Sequence, residues 1–307
     1  MLRSWLYTFP LLATFASAGL ACGAAEEADV SDDNLTTEKA TIEKTISSPI
    51  PELSGLALRK TSSGVELLGV GDRDGTLIVG SPTGSSMKKL ETNASGTPQW
   101  ESIASDASGR IFVLGEQSGT VTVYEKDAAA IKHTFTIDLP GAWRSGNAGG
   151  EGFLLLKNGH MLIVKEKDPV QIVEVGPKGD APKGYQKGFG IRPSDTFKLP
   201  TGTTSKRVIL KTWSLGDSTS QVAKDVSDIA VSPTGDLYLL TDQGRAILQM
   251  QETVTAEESK IKAIKVWELP RDVAKPEGLV FLDDGRPIVC SDVTSAGSQI
   301  FVLKKLK

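Results

Sequence analysis

A short motif recurs five times in this chain, and a carboxylate follows each copy at a near-constant distance. The copies open at Ser54-Gly55-Leu56-Ala57, Glu101-Ser102-Ile103-Ala104, Glu151-Gly152-Phe153-Leu154, Ser227-Asp228-Ile229-Ala230 and Glu277-Gly278-Leu279-Val280. The acids are Asp72, Glu116, Glu166, Asp242 and Asp292, at offsets of 18, 15, 15, 15 and 15 from the first motif residue. Motif starts are separated by 47, 50, 76 and 50 residues. A period near 50 in a chain of short β-type segments is the mark of propeller blades, units that bury their faces only against their neighbours.

The second repeat displays the blade. Ser102 to Ala104, Arg110 to Leu114, Thr120 to Tyr124 and His133 to Ile137 are β-branched and aromatic runs, and Ser108-Gly109, Ser118-Gly119 and Pro140-Gly141 punctuate them. This is a four-stranded up-and-down meander. No long segment carries the apolar spacing of a helix. The expectation is an all-β propeller of five four-stranded blades, six being the alternative. The last repeat supplies three strands, so the strand-like Thr41 to Ile46 is expected to close the ring as the missing fourth. Closure limits exposed sheet edges. The long interval after Glu151 is read as an insertion, residues 176–202, between the third and fourth strands of blade three. Its composition, with Lys178, Lys183, Lys187, Arg192 and Lys198, suggests a solvated loop at the far end of the ring.

Residues 1–22 have the layout of a signal peptide: Arg3, an apolar run from Trp5 to Leu20, then small residues. Gly19-Leu20-Ala21-Cys22 resembles a bacterial lipobox, which makes Cys22 the expected lipidation point. Ordinary signal cleavage and an uncleaved anchor are the alternatives. Residues 23–40 are small, acidic and polar and read as a disordered tether; residues 41–307 form the propeller domain. The expected location is the bacterial cell envelope, with the protein a monomer on the periplasmic or surface side of a membrane. Cys290 lies in an apolar strand and reads as a buried thiol. Acids and bases are interspersed over a formal charge of −4, and no basic stripe is present, so nucleic acid is not an expected partner.

In a meander blade the first strand starts, and the second ends, at the same end of the ring. With first strands innermost, Glu101, Glu151 and Glu277 converge with Asp72, Glu116, Glu166, Asp242 and Asp292 on one mouth of the channel. Ser54 and Ser227 fill the other two first-strand positions. Crowded carboxylates need a cation, a base or raised pKa values. Oxygen donors with only two histidines in the chain favour a hard cation, Ca²⁺ above all. The plain alternative is that these acids are turn residues, which Asp suits and Glu does not. The connection from Pro140 to Gly150 reaches the same mouth, and Trp143 and Arg144 on it are candidate ligand-capping residues, packing of Trp143 on a neighbouring blade being the alternative.

Several segments resemble the SdiA-regulated, YjiK-like family of bacterial envelope proteins. They are Glu52-Leu53-Ser54-Gly55-Leu56-Ala57, Gly150-Glu151-Gly152-Phe153, Val164-Lys165-Glu166-Lys167-Asp168-Pro169, Val226-Ser227-Asp228-Ile229-Ala230 and Pro276-Glu277-Gly278-Leu279. The resemblance implies a β-propeller, membrane association and a link to calcium, with no settled enzymatic activity. A likeness to phytase-like propellers keeps a metal-dependent phosphatase or lactonase as a rival. A protein-interaction platform, with an envelope protein as partner, is the third reading. No Gly-x-Ser-x-Gly elbow and no phosphate-cradling glycine loop is present.

Overall fold

The computed structural model describes residues 35–72, 75–90, 92, 99–116, 118–143 and 149–307. The leader, Cys22, Arg73, Arg144 and Asn147 lie outside them. In chain order the strands are β1 (Thr36–Lys39), β2 (Ile42–Ser48), β3 (Leu53–Thr61), β4 (Gly64–Gly71), β5 (Leu77–Gly80), β6 (Met87–Leu90), β7 (Trp100–Ser105), β8 (Ile111–Gly115), β9 (Thr120–Tyr124), β10 (Ile131–Asp138), β11 (Gly150–Leu155), β12 (Met161–Lys165) and β13 (Gln171–Gly176). Then come β14 (Tyr185–Gln186), β15 (Thr204–Leu215), β16 (Asp228–Val231), β17 (Leu237–Thr241), β18 (Ala246–Met250), β19 (Thr253–Val254), β20 (Lys260–Ile261), β21 (Ala263–Glu268), β22 (Pro276–Phe281), β23 (Pro287–Ser291) and β24 (Gly297–Leu303). One short helix, α1 (Asp217–Val222), follows β15.

These strands make five blades. They run β3-β4-β5-β6, β7-β8-β9-β10, β11-β12-β13-β15, β16-β17-β18-β21 and β22-β23-β24-β2. The first strands touch in a closed circuit, β3 to β7, β11, β16, β22 and back to β3, so they line the axis. The N-terminal strand closes the ring as expected, with Ile42 opposite Leu303 and Ser48 opposite Gly297. Blades two and three are also joined at their outer edges. The long β15 pairs with β13 and, in parallel, with β10.

The core is a set of wedges between blades. Side chains alternate across a strand, so neighbours in a second strand serve different wedges. Leu67 packs toward blade five and Leu68 toward blade two; Leu239 packs toward blade three and Leu240 toward blade five. Both faces of the second strands are covered, which is why they read as unbroken apolar runs such as Leu237 to Leu240. Each first-to-second-strand hairpin turns on a glycine with positive φ: Gly64, Gly109, Gly159, Gly235 and Gly285.

Two expectations change. Thr36–Lys39, placed in the tether, is a strand that extends blade four in parallel beside β21, with Glu38 paired to Lys265 at 2.7 Å. The insertion at 176–202 is not a solvated loop but a strap across the far end of three blades. Its root is pinned by Glu174, which accepts from the amides of Lys183 and Gly184 at 2.8–3.0 Å. His160 bridges Glu174 (2.5 Å) and Asp180 (3.2 Å). Toward blade four, β14 pairs β19, the Tyr185 hydroxyl donates to Gly235 O (2.7 Å), and Lys187 meets Asp236 (2.7 Å). Toward blade two, Ala107 N donates to Asp195 O (2.9 Å) and Phe197 N to Asp106 Oδ2 (3.1 Å). Phe197 is buried edge-on to Phe112 and Phe135. The lysine-rich composition marks only the outer surface of the strap; Tyr185, Ile191 and Phe197 anchor its inner side.

Candidate functional site

The acidic column is created by a repeated backbone irregularity. In blades one, two, three and five the first strand opens with a β-bulge. The register steps from Leu53 to Gly55, Trp100 to Ser102, Gly150 to Gly152 and Pro276 to Gly278. The residue skipped in each is Ser54, Glu101, Glu151 or Glu277. A bulge leaves its extra residue out of the ladder and re-aims the side chain. Glu52, Gln99 and Lys275, two residues ahead of three of these positions, carry positive φ, the backbone signature of the same pinch. In four blades the backbone N–H of the second-strand acid closes the feature: Asp72 N to Glu52 O, Glu116 N to Gln99 O, Glu166 N to Gly149 O and Asp292 N to Lys275 O, all at 2.9–3.2 Å. Blade four differs. Ser227 donates through its hydroxyl to Pro276 O (2.6 Å), and Asp225 accepts from Thr241 Oγ1 (2.7 Å) and Gln243 N (3.0 Å).

The eight predicted acids form one electrostatic cluster. Burial, reinforced by Asp72, Glu116, Asp292 and Glu166, pushes the Glu101 carboxyl up to about 8. Burial also holds Glu151 well above its ordinary range, with Glu101, Glu277, Glu166 and Glu116 adding to it. Glu277 is raised by burial, then by Asp242, Asp292 and Glu101, against Lys275. Burial also raises Glu116, Glu166 and Asp242. Among the described residues, two lysines meet these acids. Lys167 reaches Glu166 Oε1 at 2.7 Å, and Lys275 pairs with Asp292. Glu166 Oε2 is buried with no partner among the described residues. Lys165 turns away, donating to the carbonyls of Lys167 and Pro169. Trp143 is not a cap: it is 3% exposed and belongs to the wedge between blades two and three.

Beneath the ring, Asp228 of blade four reaches across to blades two and five. Oδ1 accepts from Ile229 N (2.8 Å) and lies 3.4 Å from the Ser102 hydroxyl; Oδ2 accepts from Leu279 N (2.7 Å). Its neighbours at the same motif position are Gly55, Ser102, Gly152 and Gly278. A Cβ on Gly152 would stand 2.7 Å from Asp228 Cα, and one on Gly278 would stand 2.8 Å from Leu56 N. Glycine at these positions lets the inner strands close on the axis. Leu56, Ile103, Phe153, Ile229 and Leu279 follow and face the far end. The channel is therefore an acidic bowl above a polar plug above an apolar chamber.

Fold and ring together define a five-bladed β-propeller with a carboxylate-lined mouth. The chain belongs to the SdiA-regulated family, whose model matches residues 33–292. No curated protein matches it. Among solved structures it is similar to the glutaminyl cyclase of Myxococcus xanthus, at 13% identity over 88% of this chain and 98% of that one, with a TM-score of 0.54. It is also similar to regucalcin, a calcium-binding protein of Agrobacterium tumefaciens, at 12% identity over 89% and 96%, with a TM-score of 0.51. At these identities the likeness is one of fold.

Proposed function

We propose that this protein is a non-catalytic cell-envelope propeller that binds a cation, calcium foremost, at the acidic mouth, in signalling or calcium handling. Glu151 carries the reading. It is 9% exposed, has no hydrogen-bond or ion-pair partner among the described residues, and is pressed by four other carboxylates. A buried carboxyl in that setting either keeps its proton or takes up a cation. The donor set, all oxygen, suits a hard cation. Among the described residues no three acidic or histidine side chains converge tightly enough to hold a bare ion. The mouth is thus a charged bowl rather than a ready-made cage, and Glu101, Glu151 and Glu277 are the groups that would hold the ion there. Envelope placement rests on the leader-like residues 1–22. A lipid anchor at Cys22 is expected: an alkynyl fatty acid should be incorporated and Cys22→Ser should abolish it, whereas no incorporation, or incorporation that survives the substitution, defeats that anchor.

The test is thermal unfolding in EDTA, then in millimolar Ca²⁺ or Mg²⁺. A ligand of the folded state at about 100 times its Kd adds roughly 2.7 kcal/mol. The expected result is a Ca²⁺-selective rise in Tm that the double variant Glu151→Gln, Glu277→Gln does not show. No rise with either ion defeats the proposal. Turnover of phosphate esters or lactones requiring the same carboxylates would replace it with the hydrolase reading.

A further inference from the structure

The chamber at the strap end belongs to no part of the acidic mouth, from which the Asp228 plug separates it. Its cavity volume is about 90 Å³, smaller than the roughly 300 to 1,000 Å³ of drug-sized sites, so it admits only a compact ligand. Every blade contributes an apolar side chain, Leu56, Ile103, Phe153, Ile229 and Leu279, and the strap adds Ile191. Few polar groups reach it. The Ser105 hydroxyl is committed to Leu58 O at 2.5 Å. Arg192, on the strap, lines the chamber and is 38% exposed. Its Nε donates to Asp195 Oδ2 (3.2 Å) and its Nη1 to Pro233 O (3.2 Å). Its Nη2 has no hydrogen-bond partner among the described residues. Asp195 is shared with Lys157 at 3.7 Å, so these three groups carry one uncompensated positive charge. The one carboxylate in the lining, Asp283, is offset by Lys60 at 3.9 Å.

We propose that this chamber is a second ligand site, for a small molecule with an apolar body and a single anionic head, such as a short aryl or branched alkyl carboxylate. The body displaces water from the five inner strands, and the head accepts hydrogen bonds from Arg192. The strap is then part of the site: it supplies Ile191, Pro193 and the cation of Arg192 to the lining. The site is independent of cation binding at the opposite mouth.

The experiment is a ligand-observed NMR titration of the full chain with 3-phenylpropanoate, 3-phenylpropanol and 3-phenylpropylamine. The acid is expected to bind tightest, the alcohol more weakly and the amine least. Arg192→Gln should weaken the acid about tenfold or more, the value of a lost charge-assisted hydrogen bond, and leave the alcohol unchanged. Ala104→Leu, which fills the chamber from blade two, should weaken acid and alcohol alike. Binding of none of the three overturns the site. An amine that binds as well as the acid overturns the anionic class. Acid binding indifferent to Ala104→Leu shows a surface contact at Arg192 and overturns the chamber as the seat.

Discussion

Glu101 feels burial and like charge in the same direction. The folded chain keeps its proton up to about pH 8, whereas an unfolded chain at the ordinary value of 4.5 has already released it. Folding therefore takes up a proton between those values, and the contribution of Glu101 to stability falls as pH rises through the window. Chemical denaturation at pH 5, 6.5 and 8 should show that fall, and Glu101→Gln should flatten it and give the larger gain at pH 8. Gly152 offers a test of a different kind. Gly152→Ala places a methyl 2.7–2.8 Å from the backbone of Asp228 and Ile229, so overpacking should cost about 1–3 kcal/mol, read as a lower denaturation midpoint. The acids were legible because three glutamates open the motif and the second-strand acids follow it at 15 residues in four repeats and 18 in the first. The bulge that aims the glutamates was not, since it inserts a residue without altering the motif. Nor was the separate role of Asp228, because the glycines that make room for it sit on other blades.

Among the elements, the strap has the most consequence. His160 is held protonated beyond its ordinary 6.5, chiefly by its hydrogen bond to Glu174 and then by that to Asp180. The stabilisation from a raised histidine is fully present below 6.5 and is lost as pH climbs through the raised value. Hydrogen exchange at the Lys183 and Gly184 amides, corrected for intrinsic rate, should lose protection in that direction, and His160→Gln should remove the pH dependence. Phe197→Ala should cost about 3–5 kcal/mol and release the arm toward blade two. Glycine, proline and lysine made this segment look like a loop. The contrary signal was three apolar anchors six residues apart, Tyr185, Ile191 and Phe197, too sparse to show the 3.6-residue or two-residue alternation of a helix or strand.

At the scale of the whole molecule, five wedges hold five blades, and their sequence signal was strong because each blade repeats the same meander. Ring closure was legible for a simpler reason: the last repeat lacked a strand and the N-terminal region had one to spare. Removing residues 42–48 should abolish cooperative unfolding, because it uncovers the edge of blade five, whereas removing residues 36–39 should leave a cooperative transition, since β1 is an exposed addition to a complete blade. Circular dichroism melts of the two deletions distinguish these outcomes. Closure also sets a clock. The strand from Ile42 to Ser48 leaves the ribosome long before its partner from Gly297 to Leu303 exists, and contacts so distant in sequence form slowly. Throughout synthesis the nascent chain is an open arc with an unpaired edge at each end, the state most prone to pairing with a neighbour. A ribosome that stops before Gly297 thus produces not a shortened protein but an unlatched one.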